Sequence, residues 1–268
     1  MTRAAAPAKI NLALVVGPRR EDGRHELTTV YQRLALSDHL IVEPAETLRV
    51  DGFAGDTLVR RALELVADGS SYAARIRKRV PVAAGLGGGS SDAATALRLA
   101  NALRDAPLSD DELRERAREL GADVPYFLVD GPRLGTGDGT ELAALDLPQD
   151  YWVLVVVPHG AAKASTGDVF AAFDARGGDR GYDERRSALL EALDAVRRPR
   201  DLASLPPNDL ASSPLAEDLV RLGAFRADVT GAGPAVYGLF LHAEPARAAQ
   251  KRMSPKGRTW LTAPAWYR

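Results

Sequence analysis

The chain has no cysteine and only a few lysines and asparagines, and each shortage limits what the protein can be. Without cysteine it cannot form disulfides, zinc–thiolate sites or a cysteine nucleophile. No apolar run approaches the roughly 20 residues that a membrane-spanning helix needs. The first ten residues also lack the apolar stretch of a secretory signal. We therefore expect a cytoplasmic protein with no membrane partner.

An excess of positive charge is missing as well. The 268 residues include 35 Lys and Arg against 36 Asp and Glu, a formal net charge of −1. This balance argues against a nucleic-acid partner, because such proteins usually carry a basic excess. The lysines are Lys9, Lys78, Lys163, Lys251 and Lys256. Since arginine supplies most of the positive charge here, a lysine is more often needed as a compact point charge.

Strand and helix patterns are mixed along the chain without a regular alternation, which favours an α+β fold. Alternating apolar residues predict strands at 10–16, 30–36, 39–43, 47–51, 71–80, 152–157 and 235–241. Helical spacing predicts helices at 56–68, 166–174, 183–196 and 213–223. Ser109 and Glu112 form a capping box that opens a further helix, which Gly121 ends. A break in these patterns near residue 148 predicts two domains, 1–148 and 149–268.

The strongest functional signal is the glycine-rich stretch PVAAGLGGGSSDAATAL at residues 81–97. Glycines let backbone N–H groups approach an anion closely, and the dipole of the following helix adds positive potential. Ser90 and Ser91 offer hydroxyl groups and a predicted N-cap. The stretch therefore predicts a phosphate-binding loop, with a flexible linker as the alternative. Asp92 would repel a phosphate, so we expect its side chain to point away.

This loop differs from the two common nucleotide-binding loops. A Walker loop needs Lys-Ser or Lys-Thr after its last glycine, and a dinucleotide fingerprint needs glycine at the position of Ser90. A second glycine-rich turn, at 230–234, precedes the predicted strand at 235–241. This turn is either a simple connection between strands or a contact to phosphate or substrate.

The loop and several other segments together resemble the GHMP kinase superfamily. The matching segments are PAKINLAL at 7–14, EDGRHEL at 21–27, LGADVPYFL at 120–128, PND at 207–209 and TGAGPAVYGLF at 230–240. They keep the order of the family and run nearly from end to end of the chain. Within the superfamily, the first three are similar to the kinases of non-mevalonate isoprenoid biosynthesis that act on a cytidine-diphosphate-linked polyol.

The resemblance implies a reaction, a pair of catalytic residues and a fold. ATP, with Mg²⁺, would phosphorylate the 2-hydroxyl of 4-diphosphocytidyl-2-C-methyl-D-erythritol. Lys9 would stabilise charge and Asp123 would accept the proton of the hydroxyl. Without the resemblance, Lys9 would be a solvated surface lysine and Asp123 a turn residue. The resemblance also implies an ATP-binding, catalytic N-terminal domain with a left-handed β-α-β element, and a ferredoxin-like C-terminal domain.

The resemblance also implies two sets of binding residues but no metal ligands. The ATP-binding set is Leu58, Lys78, Pro81, Val82, Ala83, Ala84, Gly85, Leu86, Gly87, Gly88, Gly89, Ser90 and Ser91. The substrate-binding set is Asn11, Arg24, His25, Thr166 and Phe170. Arg24 stands where the family usually has tyrosine, so it would stack on the cytosine opposite Phe170, pair with the diphosphate, or point to solvent. His25 could instead be a surface residue and Phe170 a core residue.

Two other functions stay open from the sequence. One is another GHMP kinase that acts on mevalonate, homoserine or a sugar, and the segment EDGRHEL argues against it. The other is a non-catalytic nucleotide-binding protein of the same fold, and the presence of Lys9 and Asp123 argues against it. The sequence does not indicate an oligomeric state.

Overall fold

The structure is a computed structural model that describes residues 1–161 and 165–265, and in them it has ten strands and seven α-helices. The strands are Thr2–Arg19 (β1), His25–Ala45 (β2), Arg49–Asp51 (β3), Ser71–Arg77 (β4), Arg133–Thr136 (β5), Glu141–Ala144 (β6), Trp152–Pro158 (β7), Arg226–Val229 (β8), Val236–Phe240 (β9) and Gly257–Thr262 (β10). The α-helices are Leu58–Val66 (α1), Gly88–Asn101 (α2), Asp110–Leu120 (α3), Thr166–Ala175 (α4), Tyr182–Ala195 (α5), Pro214–Arg221 (α6) and Ala243–Met253 (α7). Two short 3-10 helices lie at Pro125–Leu128 and Pro199–Ser204.

The strands form two sheets. The first has the order β3-β4-β2-β5-β6, with β1 also paired to β2, and the second has the order β10-β7-β9-β8. Strands β3 and β4 pair in parallel and are joined by α1, so they form a β-α-β element. Its left-handedness stays a prediction. The pairings of β2 with β4 and β5, and all pairings of the second sheet, are antiparallel. This mixture confirms the α+β class.

The chain forms two compact units that are not continuous in sequence. The first unit comprises Met1–Ala8, Leu36–Val82 and Gly87–Asp130, and the second comprises Lys9–Ala35, Ala83–Leu86 and Gly131–Arg268. Strands β1 and β2 each run from one unit into the other. The domain boundary near residue 148 stays a prediction, because compact units of this kind need not coincide with domains.

The core of the first unit contains the helices α1, α2 and α3. Helix α1 buries Val59, Ala62, Leu63 and Val66 on one face, and α2 buries a row of alanines that permits close helix packing. The predicted capping box of α3 is confirmed. The Ser109 hydroxyl accepts from the Glu112 N–H at 3.3 Å, and Glu112 Oε2 accepts from the Ser109 N–H at 2.8 Å. The helix ends just before Gly121, as predicted.

The second unit contains the second sheet and an apolar cluster that this sheet forms with α6 and α7. Leu154 and Val156 of β7, Val236 and Phe240 of β9, and Met253 of α7 belong to this buried cluster. When α4, α5 and the 3-10 helix Pro199–Ser204 are left out, the elements from β7 to β10 follow in the order β-α-β-β-α-β. The ferredoxin-like C-terminal domain stays a prediction. In the described residues no helix has both the length and the apolar character to cross a membrane.

The predicted strands at 10–16, 30–36 and 39–43 are shorter than the strands observed. The last two are parts of one strand, β2. The charged Asp38 does not interrupt this strand, because its buried carboxylate accepts hydrogen bonds from the N–H groups of residues 79 and 80. The short strands β5, β6 and β8 were not predicted, and neither were α7 and β10. Helix α7 buries only Ala246, Ala249 and Met253, which is a weak apolar pattern.

Candidate active site

Lys9 lies in β1 with a side chain that is almost fully removed from solvent, so it is not a solvated surface lysine. The residue is 3% exposed. Its Nζ donates to Oδ1 of Asn11 at 2.7 Å and lies 5.4 Å from the centre of the Tyr31 ring. Residues 9 and 11 of a strand point to the same face, which explains why the segment PAKIN brings the ammonium and the amide together.

Asn11 is held by two buried threonines in the same unit. Its Nδ2 donates to Oγ1 of Thr29 at 2.8 Å, and Thr29 in turn donates to the carbonyl of Ala13. Its backbone N–H donates to Oγ1 of Thr230 at 3.1 Å, and the Thr230 hydroxyl lies 3.3 Å from Oδ1 of Asn11. Because its amide is fixed in this way, Asn11 sets the direction of the Lys9 ammonium.

The second glycine-rich turn lies beside this cluster. Gly231 has φ +57°, and an added Cβ there would lie 3.6 Å from Lys9 Nζ and 3.5 Å from Asn11 Oδ1. Asn208, from the PND segment, donates to the carbonyl of Gly231 at 2.7 Å and to that of Val229 at 3.0 Å. The turn therefore lies close to Lys9, and a contact of the turn with phosphate or substrate stays a prediction.

Asp123 lies in the first unit, in the turn between α3 and the 3-10 helix Pro125–Leu128. Its residue is half-buried, and the aromatic rings of Tyr126 and Phe127 that follow are buried in the same unit. The buried rings anchor the segment that carries the carboxylate. The joint action of Lys9 and Asp123 in catalysis stays a prediction.

The glycine-rich loop ends in the N-terminus of α2. Gly87 is the N-cap in the left-handed region, with φ +67°, and its carbonyl accepts from the N–H of Ser91 at 2.9 Å. The prediction that a serine caps this helix is wrong, because Ser90 and Ser91 lie inside the first turns and the left-handed glycine takes the N-cap position. The leading N–H groups of a helix have no carbonyl partner within it, so they remain available to an anion.

The preceding part of the loop is anchored by its backbone in the second unit. The carbonyl of Leu86 accepts from the N–H of Lys9 at 2.9 Å, and that of Ala84 accepts from the N–H of Ala235 at 3.0 Å. A Cβ on Gly85 would come within 2.5 Å of the Thr230 carbonyl oxygen. Ala83 has φ +58°, which is uncommon for a residue other than glycine. A flexible linker would not be held in this way.

Lys78 forms a charged cluster with Asp38 and Asp92 in the first unit. Its Nζ donates to Asp92 Oδ2 at 2.7 Å and also to Asp38 Oδ2. Burial lowers the pKa of Lys78, but the two carboxylates outweigh burial and raise that pKa above its ordinary value. Burial raises the pKa of Asp92 to about 7; Lys78 opposes this rise and Asp38 adds to it. The Asp92 side chain is thus directed at Lys78.

Leu58 and the start of α2 meet in the same unit. Leu58 is the first residue of α1, and its Cδ1 would lie 3.6 Å from a Cβ on Gly89. A Cβ on Gly88 would lie 3.0 Å from Cγ1 of Val80 and 3.5 Å from Lys78 Nζ. A glycine at position 88 therefore lets the start of α2 pack closely against Val80. The structure brings Leu58 and Lys78 to the start of α2, and their part in ATP binding stays a prediction.

His25 and Phe170 of the substrate-binding set lie together in the second unit. Their rings stack with centroids 4.9 Å apart at an angle of 25°. His25 is buried rather than on the surface, and its Nδ1 donates to the carbonyl of Gly17 at 2.9 Å. Its Nε2 lies 3.2 Å from Oδ1 of Asp174. Phe170 is half-buried and packs against the cluster that contains Leu14.

Arg24 and Thr166 are more exposed. The Arg24 side chain is 54% exposed and its guanidinium pairs with the carboxylate of Asp138. Thr166 is an exposed residue that opens α4, directly after the N-cap Ser165. Sequence reasoning missed Asp138, because no pattern in the sequence connects residue 138 with residue 24.

In the described residues, no group of three or more histidine, aspartate or glutamate side chains forms a cluster that could hold a metal ion. Mg²⁺ that accompanies ATP is usually held by one or two carboxylates together with the phosphates, so it needs no such cluster. The donor set of the loop is suited to the phosphates themselves, through N–H groups rather than carboxylates.

Comparisons with known proteins identify the family of the chain. Residues 57–131 match the model of the GHMP kinases N terminal domain. A 4-diphosphocytidyl-2-C-methyl-D-erythritol kinase of Kineococcus radiotolerans is 37% identical over 87% of this chain and 79% of its own. The Pelobacter propionicus protein of the same name is 35% identical over 97% and 96%.

Two solved structures share the fold of this chain but differ in how similar their sequences are to it. A crystal structure of a 4-(cytidine 5'-diphospho)-2C-methyl-D-erythritol kinase matches 99% of this chain and 100% of its own, with a TM-score of 0.80 and 33% identity. The Methanococcus jannaschii mevalonate kinase has a TM-score of 0.74 over 99% of this chain and 98% of its own, but only 13% identity, which shows the fold alone. The chain therefore belongs to the 4-diphosphocytidyl-2-C-methyl-D-erythritol kinase family, within the fold of the GHMP kinases.

Proposed function

We propose that this protein transfers the γ-phosphate of ATP to the 2-hydroxyl of 4-diphosphocytidyl-2-C-methyl-D-erythritol. The observation that carries the proposal is the Lys9–Asn11 cluster, in a chain whose named relatives match it over most of their length. A buried ammonium with a fixed direction suits a reaction in which negative charge must be stabilised at one place. The products are ADP and the 2-phosphate.

Phosphoryl transfer has a loose transition state, so positioning and charge stabilisation supply most of the rate. In the proposal, Asp123 orients the hydroxyl of the substrate and accepts its proton. Lys9 stabilises the charge on the transferring phosphoryl group. The amide of Asn11 is engaged with Lys9, Thr29 and Thr230, which supports a role in orienting the ammonium in addition to any contact with substrate.

On the ATP side, the residues from Pro81 to Ser91 hold the phosphates, with the leading N–H groups of α2 as donors. The left-handed Gly87 supports this role, because it lets the chain enter the helix without a side chain over those donors. Leu58 and Lys78 lie nearer the nucleoside. Mg²⁺ would enter with ATP and neutralise charge on its β- and γ-phosphates.

On the substrate side, Phe170 and His25 form an aromatic pair that can pack against the cytosine, and Thr166 adds a hydroxyl nearby in sequence. The pairing of Arg24 with Asp138 supports neither stacking nor diphosphate binding by itself. A substitution series separates the two roles. Stacking predicts that Arg24→Tyr keeps the KM of the substrate while Arg24→Lys raises it about 10-fold. Pairing with the diphosphate predicts that Arg24→Lys keeps the KM of the substrate while Arg24→Tyr raises it.

The proposal is tested by ATP consumption over a panel of alcohols that contains the cytidine diphosphate substrate, mevalonate, homoserine and sugars. We expect turnover with the first alone. Turnover with another member would identify a different GHMP kinase, and no turnover with any would favour a nucleotide-binding protein without activity.

The Asp123→Asn variant tests the assignment of the base. It should keep the fold and the affinity for ATP and lower kcat by on the order of 10²–10⁴, the usual contribution of a positioned acid–base group. Lys251→Met, on α7, is the control. Near-normal kcat in Asp123→Asn would remove this residue from the mechanism.

A further inference from the structure

The ion-paired cluster of Asp38, Lys78 and Asp92 joins the two ends of the glycine-rich loop. Lys78 directly follows β4, three residues before Pro81, and Asp92 lies on α2, just after the loop. The ion pair between Lys78 Nζ and Asp92 Oδ2 measures 2.7 Å, so it fastens the segment before the loop to the helix after it. All three residues belong to the first unit.

Asp38 holds the segment before the loop in a second way. Its Oδ1 accepts from the N–H groups of Arg79 and Val80, the latter at 2.8 Å, while its Oδ2 accepts from Lys78. One carboxylate from β2 therefore fixes three consecutive residues immediately before Pro81. Asp38 is 0% exposed, and Asp92 is 1% exposed, so both carboxylates depend on these partners.

The surroundings of the Lys78 ammonium do not suit direct contact with a phosphate. Its side chain is only 16% exposed, and two carboxylates accept from its ammonium. If the ammonium turned toward a phosphate, it would weaken its ion pairs with two buried carboxylates, and a buried charge without its partner is costly. The ammonium also lies 3.5 Å from the position that a Cβ on Gly88 would take, so it lies close to the first residue of α2.

We propose that Asp38 and Asp92 are positioning residues for nucleotide binding, and that they use Lys78 as a clamp between the end of β4 and the start of α2. The Lys78 ammonium then acts through the position of the phosphate-binding N–H groups and does not itself bind the phosphates. The inference rests on the proposed kinase function, because it concerns the affinity of that site for ATP.

The test compares kcat and the KM values of both substrates in the wild type, Lys78→Met, Asp38→Asn and the double variant. Each single variant should raise the KM for ATP on the order of 10-fold, with kcat and the KM of the alcohol nearly unchanged. A 10-fold change in KM lies within the range of coupling free energies measured between residues of one ion-pair network. The double variant should be little worse than either single variant, because both remove the same clamp.

Direct contact between Lys78 and the nucleotide gives the opposite result for one variant. Asp38→Asn keeps an oxygen for the backbone N–H groups but removes the charge that competes for the ammonium. If Lys78 bound the phosphates, its freed ammonium would lower the KM for ATP or leave it unchanged, while Lys78→Met would raise it. That pair of outcomes would overturn the proposal.

Asp201→Asn is the matched control, because Asp201 also accepts from two backbone N–H groups but lies in the 3-10 helix Pro199–Ser204 of the second unit. Thermal melting confirms that each variant is folded. If Asp38→Asn does not fold, Asp92→Asn takes its place at about pH 8, where the native residue is ionised. An unchanged KM for ATP in folded Asp92→Asn overturns the clamp.

The wild type separates the failure of this inference from the failure of the kinase function. An active wild type with unchanged variants overturns the clamp alone. A wild type that neither turns over nor binds ATP overturns the kinase function and the clamp together.

Discussion

In the part of the chain that the structure describes, two lysines are largely removed from solvent, Lys78 and Lys9. Lys78, in the first unit, donates to the carboxylates of Asp38 and Asp92. Lys9, in the second unit, donates to the neutral amide of Asn11 and lies against the ring of Tyr31. Carboxylates hold an ammonium by cancelling its charge, whereas an amide fixes its direction without adding an opposing charge. The carboxylates around Lys78 thus indicate a structural clamp, and the Asn11 amide fixes the direction of the Lys9 ammonium.

The largest expected effect concerns stability. Lys78→Met should lower the free energy of unfolding by on the order of 3–5 kcal/mol, because it leaves two buried carboxylates without their cation. Lys9→Met removes the hydrogen bond to the Asn11 amide, and that loss should cost about 1–2 kcal/mol. Urea denaturation of both variants measures the difference. Equal losses would show that the two clusters contribute to stability in the same way.

For kcat the order of the two variants should be reversed, with the larger loss in Lys9→Met and the smaller loss in Lys78→Met. Lys9→Met should lower kcat by on the order of 10²–10³, the usual loss when one donor to a developing negative charge is removed. Lys78→Met should keep kcat within a few-fold when ATP is saturating. Steady-state kinetics at high ATP measures both. A comparable fall of kcat in Lys78→Met would place its ammonium in the chemistry.

Asn11→Asp places a carboxylate next to the Lys9 ammonium, where the wild type has the Asn11 amide. An added carboxylate beside Lys9 should cancel part of its charge and lower kcat about 10-fold, or 1.4 kcal/mol. Asn101→Asp is the matched control, because Asn101 also has its amide hydrogen-bonded, to the backbone of Leu108. It should lower stability and leave kcat unchanged. An Asn11→Asp enzyme with normal kcat would show that the charge of Lys9 is not used.

The smallest expected effect is a pH dependence of stability from Asp92. Burial raises its pKa to about 7 from an ordinary value of 3.8, so the folded state keeps a proton that the unfolded state has lost. Its contribution is therefore fully present below about pH 4 and is lost as the pH rises through about 7. Urea denaturation across this range should show a shallower fall for Asp92→Asn than for the wild type. Parallel curves would contradict the shifted pKa.

Local patterns predicted the parts of the site that depend on neighbours in sequence. The period of two in a strand puts Lys9 and Asn11 on one face, and the capping box of α3 needs only residues three apart. The serine cap of α2 was wrong for a local reason that propensity does not show. The left-handed conformation of Gly87 provides the N-cap, and the two serines move into the helix.

Contacts between distant segments were beyond reach of such patterns. The segment EDGRHEL suggested His25 as a binding residue, and helical spacing was compatible with Phe170 as either a core or a binding residue. Their stacking appears only in the structure. The same holds for Arg24 and Asp138. A side chain in a turn is compatible with many partners, and which one it meets depends on how the strands are arranged.

The sequence by itself determined the α+β class and the strand face that carries Lys9, and it predicted the phosphate-binding character of the loop, because these follow from residue type and short periods. Only the tertiary structure decided that Asp38, inside a strand that looked like two, holds the start of the loop through Lys78. A buried carboxylate is stable only with partners, and its partners came from positions about 40 residues further along the chain. That pairing depends on the register of β2 with β4, which no local pattern specifies.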